Sequence, residues 1–198
     1  DLSKGKLYVL KLDKPLSGGD PTGTTGKWVL VPNTTQSDRN NVASVASSLG
    51  GTNFNGVEDC EVNPLNGMIY FTSKGNNRTY RFLDKDSVLV NFETFVGGKN
   101  YLISTPTGLY SEAWASGNDN LTFDDRGNLY VLQDGSRNHF WMVRPEHTQA
   151  DPRVELFTTT PASSEPTGMT FTPDFKFMFY SIQHPGTTNV AQMDATGN

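Results

Sequence analysis

At 198 residues the chain is long enough to enclose one sizeable core, and its 19 glycines and 11 prolines, amid much Asn and Thr, favour turns over helices. A formal net charge of -5 and a pI near 5.1, with Lys and Arg scattered, argue against a nucleic-acid partner. No apolar run approaches the ~20 residues of a membrane span and no cationic, then apolar, leader precedes Asp1, so a soluble, processed or truncated chain is expected.

In chain order, KGKLYVLKLD reads as an outer strand, followed by a Gly- and Pro-rich loop and a second strand in KWVLVP. The one convincing helix lies near 39–49, where Val42, Val45, Ala46 and Leu49 form a stripe, Asp38 is the expected N-cap, and Gly50 and Gly51 are the stop. Next come three similar phrases, VNPLNGMIYFTS, FDDRGNLYVLQD and FTPDFKFMFYSI, each a short strand, a tight turn and a second strand. Asn63-Pro64, Asp124-Asp125 and Pro173-Asp174 supply the turn chemistry, with Gly67 and Gly127 available for positive φ. Further strands are predicted over 79–82, 140–144 and 154–158. The second strands alternate, yet Tyr70, Tyr130, Leu132, Met178 and Tyr180 make the other face apolar too. A sheet buried on both sides and antiparallel by its hairpins suits a propeller blade stacked between neighbours.

The expected fold is therefore all-β: a single partial β-propeller over 1–198, about four antiparallel blades, with one short decorating helix. An open arc exposes two blade faces, to be covered by the rest of its own chain or by a partner subunit. Cys60, the only cysteine, excludes an intrachain disulfide and is expected to be a small buried residue, since it shares a strand with Val62.

Three acidic segments, GVEDCEVNP, GNDNLTFDD and EPTGMTFTPD, open the repeated units and place Glu58, Asp119 and Glu165 at equivalent points. In a radial array such positions converge on the central axis, which suits an oxygen-ligated metal site. Asp59 and Asn120 are candidates to complete a shell. Equally, Asp119 and Asp59 suit the capping of local backbone N–H groups.

The order of these segments, with DNLTFDDRGNLY, TGMTFTPD and the closing IQHPG, resembles the PhoX-type alkaline phosphatases across nearly the whole chain. The resemblance implies a six-bladed propeller holding calcium and ferric ions (Ca2+ and Fe3+) in its channel and hydrolysing phosphate monoesters outside the cytoplasm. It implies metal-ligand roles for Glu58, Asp119 and Glu165. Arg78, in Asn76-Asn77-Arg78, echoes a family motif and is a candidate phosphate contact together with Lys74; His184 is a candidate partner of a metal-bound oxygen or substrate. No role is expected for His139 and His147, which fall in polar, loop-like text.

The chain also departs from the pattern. Gly56 and Val57 stand where family members place arginine and proline before the first acid, Asn118 replaces a proline, and the family's tryptophan-containing segment ending in Cys-Glu-Glu has no counterpart here. Three readings follow: a metal-dependent phosphomonoesterase, a non-catalytic propeller serving as scaffold or binding subunit, and a propeller hydrolase using one calcium on lactones or small esters.

Overall fold

The computed structural model describes residues 5–135, 137–161 and 164–184. The chain opens with β1 (Leu7–Leu12), the two-residue strands β2 (Leu16–Ser17) and β3 (Asp20–Pro21), and β4 (Gly26–Val31). Helices α1 (Gln36–Asn40) and α2 (Val42–Ser48) follow, and then three antiparallel units. The first comprises β5 (Val57–Val62), β6 (Ile69–Ser73), β7 (Arg78–Lys85) and β8 (Val88–Gly97). After a hairpin of β9 (Asn100–Thr105) and β10 (Gly108–Ala113) comes the second: β11 (Asn118–Phe123), β12 (Leu129–Gln133), β13 (His139–Val143) and β14 (Val154–Thr159). The third is begun by β15 (Glu165–Phe171) and β16 (Met178–Gln183).

Strand order confirms a partial propeller of antiparallel blades. The second sheet runs β11-β12-β13-β14, and the first runs β1-β4-β8-β7-β6-β5, in which β4 meets β8 only through Gly26 to Leu89 and Lys27 to Val88. Where about four blades are expected, the described residues form two complete four-stranded sets, the β15–β16 inner hairpin, the separate β9–β10 hairpin, the short β2–β3 pair, and the β1–β4 hairpin attached to the outer edge of the first set.

The turns form as their sequences dictate. Asn63 Oδ1 accepts from Leu65 N at 2.9 Å, and Asp124 Oδ1 from Arg126 N at 3.0 Å and Asn128 N at 2.9 Å, while Gly67 and Gly127 take positive φ. The third turn has no glycine to spend, and Phe175 adopts φ 54 instead, a conformation costly for a bulky side chain.

The second blade buries both faces of its middle strands, because its side chains alternate and a neighbour covers each side. Tyr70, Phe95 and Val96 of the first blade pack with Leu121, Phe123, Leu129, Val131, Trp141 and Val143 of the second, and Tyr101 and Trp114 fill the outer side. Tyr130, Leu132, Phe140 and Met142 face the other way, onto Met169 and Met178 of the third unit. The far face of the first blade gathers Phe71, Tyr80, Phe82 and Phe92 with Phe54, Leu10 and Leu12.

Both ends of the arc leave apolar side chains in solvent, as expected of an incomplete ring: Val57 and Val62 at one end, Phe177 and Phe179 at the other. Cys60 belongs to the first of these faces, so it is exposed and not buried as expected. It lines an apolar hollow with Val57, Ile69 and Phe71, where desolvation, then Asp59 and Glu61, push its thiol above the usual range.

Two local expectations are corrected. The helix is broken at Asn41 (φ -118), and its N-cap is Thr35: Thr35 Oγ1 accepts from Asp38 N at 3.1 Å and Asp38 Oδ2 from Thr35 N at 2.9 Å, so Asp38 is the reciprocal member of a capping box. The stripe of Val42, Val45, Ala46 and Leu49 is half-buried as predicted. His139 and His147, read as loop residues without a role, are both buried.

His147 donates from Nε2 to Phe95 O at 2.9 Å and accepts at Nδ1 from Arg153 N at 3.0 Å, which locks the neutral tautomer. Protonation would point N–H at N–H. Burial holds its pKa down at about 4, against 6.5 for a free histidine. The unfolded chain therefore binds a proton that the folded one refuses, and stability present above pH 6.5 falls as pH drops towards 4. The expected loss is ~3 kcal/mol across that window, from ~1.4 kcal/mol per unit. Urea denaturation at pH 7 and pH 4.5 checks it: His147→Gln should flatten the pH slope.

Candidate metal site

Glu58 and Asp119 occupy the same place in successive blades. Between Val57 and Cys60 the β5–β6 ladder slips by one residue, and it slips again between Asn118 and Leu121 of β11, so both acids sit within β-bulges of the inner strands. Bulges re-aim side chains out of the pleat. In the third unit the slip falls between Thr167 and Thr170, so Glu165, paired with Gln183, lies outside the bulge. The equivalence expected of the three acids thus holds for Glu58 and Asp119, and Glu165 reaches the site from a different register.

The residues next to these acids hold the blades together. Asp59 Oδ2 accepts from Leu121 N of the second blade at 3.0 Å, and Asn120 Oδ1 accepts from Gly168 N at 3.1 Å and Thr167 Oγ1 at 2.7 Å in the third unit. Thr72 Oγ1 donates to Asp119 O at 2.7 Å and accepts from Asp59 N at 3.0 Å. Asp59 and Asn120, candidates for a metal shell, instead link one bulge to the next.

Carboxylate oxygens of Asp119, Asp134 and Glu165 lie within 4.8 Å of one another. Asp134 follows the last residue of β12, and its closeness to Asp119 depends on two glycines: Asp134 N donates to Gly117 O at 2.9 Å, and a Cβ on Gly117 would stand 2.2 Å from Gly135 N. Only bare backbone fits there. Below the acids, Gln133 Nε2 donates to Asn118 Oδ1 at 2.8 Å, and Trp141 Nε1 donates to Gln133 Oε1 at 2.8 Å. Buried Asn118 and Gln133 immediately precede Asp119 and Asp134, so the core sets the spacing of these two acids.

The electrostatics are those of crowded acids. Burial first, then the adjoining carboxylate of Asp134, pushes the Asp119 carboxyl up to about 6 against the pull of Lys74, with Glu58 adding like charge. Lys74 Nζ hydrogen-bonds Asp134 Oδ2 and lies 3.6 Å from Asp119 Oδ2. The bond to Asp134 raises the Lys74 pKa, helped by the charges of Asp119, Asp134 and Glu58. Asp134 is half-buried with its side chain only 8% exposed, and its buried Oδ1 has no hydrogen-bond partner among the described residues. Glu58, exposed on its bulge, acts on Asp119 and Lys74 by charge and stands outside the close group.

All the donors are carboxylate oxygens, one orphaned in a buried position. That set fits hard, oxygen-seeking cations such as calcium or ferric iron.

The two residues expected to be catalytic fall differently. Arg78 is tied to Asp20 in a bidentate pair, Nε to Oδ1 at 2.7 Å and Nη2 to Oδ2 at 2.9 Å, and it also donates to Asn76 O. Its guanidinium anchors the β2–β3 hairpin to the first blade. His184 is exposed at the rim, with Nε2 3.8 Å from Glu165 Oε2. Pro185 and Gly186, the rest of the IQHPG phrase, lie outside the described residues.

Asp134 is the residue that reading the sequence missed. A signal was present: Ser73-Lys74-Gly75 and Gln133-Asp134-Gly135 end the second strands of successive blades, and Lys74 N bonds Gly56 O at 2.7 Å as Asp134 N bonds Gly117 O.

Comparison with known proteins agrees with this architecture. No curated protein sequence matches the chain. Among solved structures it is similar to Pseudomonas fluorescens PhoX in complex with vanadate, a transition state analogue, with a TM-score of 0.67 and 23% identity over 92% of this chain. That likeness concerns the fold, and the match spans 40% of the Pseudomonas chain. Among the described residues no helix is long and apolar enough to cross a membrane. The family model for alkaline phosphatase PhoX matches residues 2–186, and the chain therefore belongs to the PhoX alkaline phosphatase family.

Proposed function

We propose that this chain carries one side of the metal channel of a phosphomonoesterase, with Asp119, Asp134 and Glu165 as cation ligands and Glu58 as a further acid at the channel mouth. The observation that carries the reading is the convergence of three carboxylates within 4.8 Å, one with a buried, unpartnered oxygen. Family membership makes a phosphate monoester the substrate class, calcium and iron the expected ions, and an extracytoplasmic compartment the expected location.

Bound cations would neutralise phosphoryl charge and lower the pKa of a nucleophilic oxygen. The chain's own residues do the rest. Asp119 and Asp134, fixed from below by Asn118 and Gln133, hold the ligand oxygens at constant spacing. His184 stands at the rim beside Glu165, where it can hold or release a proton near the leaving oxygen. Arg78, as placed here, supports the loop that carries Asp20 and stays neutralised by it.

A second reading, a non-catalytic propeller, is favoured by Gly56, where family members carry arginine. One measurement on the full-length natural protein separates the two: metal content with turnover of p-nitrophenyl phosphate, before and after chelation. The enzyme reading expects bound calcium or iron and turnover that chelation removes and calcium with ferric iron restores. Protein without either metal, or turnover indifferent to chelation, supports the scaffold and removes the phosphatase.

A further inference from the structure

We propose that Lys74 and a metal cation are alternative occupants of the space between Asp119 and Asp134, so that loading the site displaces the Lys74 ammonium. This rests on the cation-binding part of the reading above and not on phosphate chemistry.

Lys74 and Asp134 end the second strands of neighbouring blades at the same place in the ladder, one after Ser73 (paired with Val57) and the other after Gln133 (paired with Asn118). One repeated position thus carries opposite charges in the two blades, and the two side chains meet across the interface. The ammonium bonds Asp134 Oδ2 and lies 3.6 Å from Asp119 Oδ2, within the acid group. It supplies charge but too few contacts: Asp134 Oδ1, on a side chain only 8% exposed, stays without a partner among the described residues. A buried carboxylate oxygen with no donor is costly, and an ion that accepts six to eight oxygens satisfies it where one ammonium does not.

The geometry also allows Lys74 to leave. Its side chain is 39% exposed, against 19% and 8% for Asp119 and Asp134, and its backbone is pinned by the bond to Gly56 O, so the stem can swing without moving the strand. Position 56 has no side chain to obstruct it; a Cβ there would stand 3.7 Å from Lys74 Cβ. Among the described residues, Lys74 is the ammonium that contacts both Asp119 and Asp134.

The test uses the full-length natural protein stripped of metal and titrated with Tb3+, followed by luminescence, with Ca2+ as competitor. Lys74→Met keeps the stem and removes the charge, and is expected to bind Tb3+ about tenfold tighter, as befits removal of a like charge near 4 Å in a partly solvated site. In the wild type, acetylation of Lys74 by an N-hydroxysuccinimide ester, read by mass spectrometry, is expected to rise several-fold when Ca2+ saturates. Equal or weaker Tb3+ binding by Lys74→Met overturns the exchange while leaving the cation site standing. No Tb3+ binding by either protein overturns both. Should Lys74→Met misfold, the acetylation measurement decides alone: Lys74 labelling that stays constant or falls on adding Ca2+ overturns the exchange.

Discussion

Alanine at Asp119 or at Asp134 is expected to lower cation affinity and phosphomonoester turnover by about 100-fold or more each, whereas alanine at Glu58 costs markedly less. Changing a group that only orients a metal ligand already costs ~10 to 100-fold, and loss of a ligand exceeds that. The order of effects is the informative part. If the acids in the first two bulges formed the site, Glu58 and Asp119 would be the severe positions and Asp134 a mild one. The geometry reverses two of these, because the Asp134 oxygen is in the close group and the exposed Glu58 acts only through its field. Isothermal titration with Ca2+, paired with turnover of p-nitrophenyl phosphate, checks the ranking. A Glu58 variant worse than the Asp134 variant would move the centre of the site to the first bulge.

That ranking also marks how far the sequence could be read. The blades were legible because each hairpin announces itself through a turn residue with a definite hydrogen-bonding habit: Asn63 and Asp124 accept from the backbone two residues on, and Asp174 Oδ1 does so from Lys176 N at 3.3 Å. Double-sided burial was legible from Tyr70 beside Phe71 and Tyr130 beside Val131. The open ends of the arc were legible too, but their consequence for Cys60 was not, since alternation tells which residues share a face and not whether anything covers it. His147 was illegible for a related reason: nothing local in RPEHTQ foretells a backbone acceptor at Phe95.

In the site, Asp119 and Glu165 stood out because acids opening a repeated strand draw attention. Asp134 did not, because it follows a strand, in text resembling an ordinary turn, and because its counterpart in the first blade is a lysine. Charge inversion hides a repeat from any search for like residues. The bulges were equally hidden: Glu58 and Asp119 stand four residues before Val62 and Phe123 but Glu165 six before Phe171, and Gly168, in the bulge of β15, holds the place of Glu58 and Asp119.

Trp141 connects this site to the core, and its replacement is the largest stability change expected in the chain. The side chain is fully buried, stacks on Trp114 at 5.1 Å, meets Tyr101 at 6.4 Å, and bonds Gln133 through its indole N–H. Trp141→Ala removes the packing and leaves a cavity, for which ~3 to 5 kcal/mol is expected. Trp141→Phe retains most of the apolar volume but orphans the buried Gln133 carbonyl, at ~1 to 3 kcal/mol. The consequence should reach further than stability. Gln133 then loses the contact that fixes the amide bonded to Asn118, and these two residues set the backbone from which Asp119 and Asp134 project. Trp141→Phe is therefore expected to weaken Ca2+ binding several-fold at a temperature where the protein remains folded, and Trp141→Leu likewise, since neither supplies the N–H. Urea denaturation gives the first quantity and calorimetric titration the second. A Trp141→Phe protein less stable than wild type yet unchanged in Ca2+ affinity would separate the core from the site, and would assign the spacing of the two acids to the glycine contact between Gly117 and Gly135 alone.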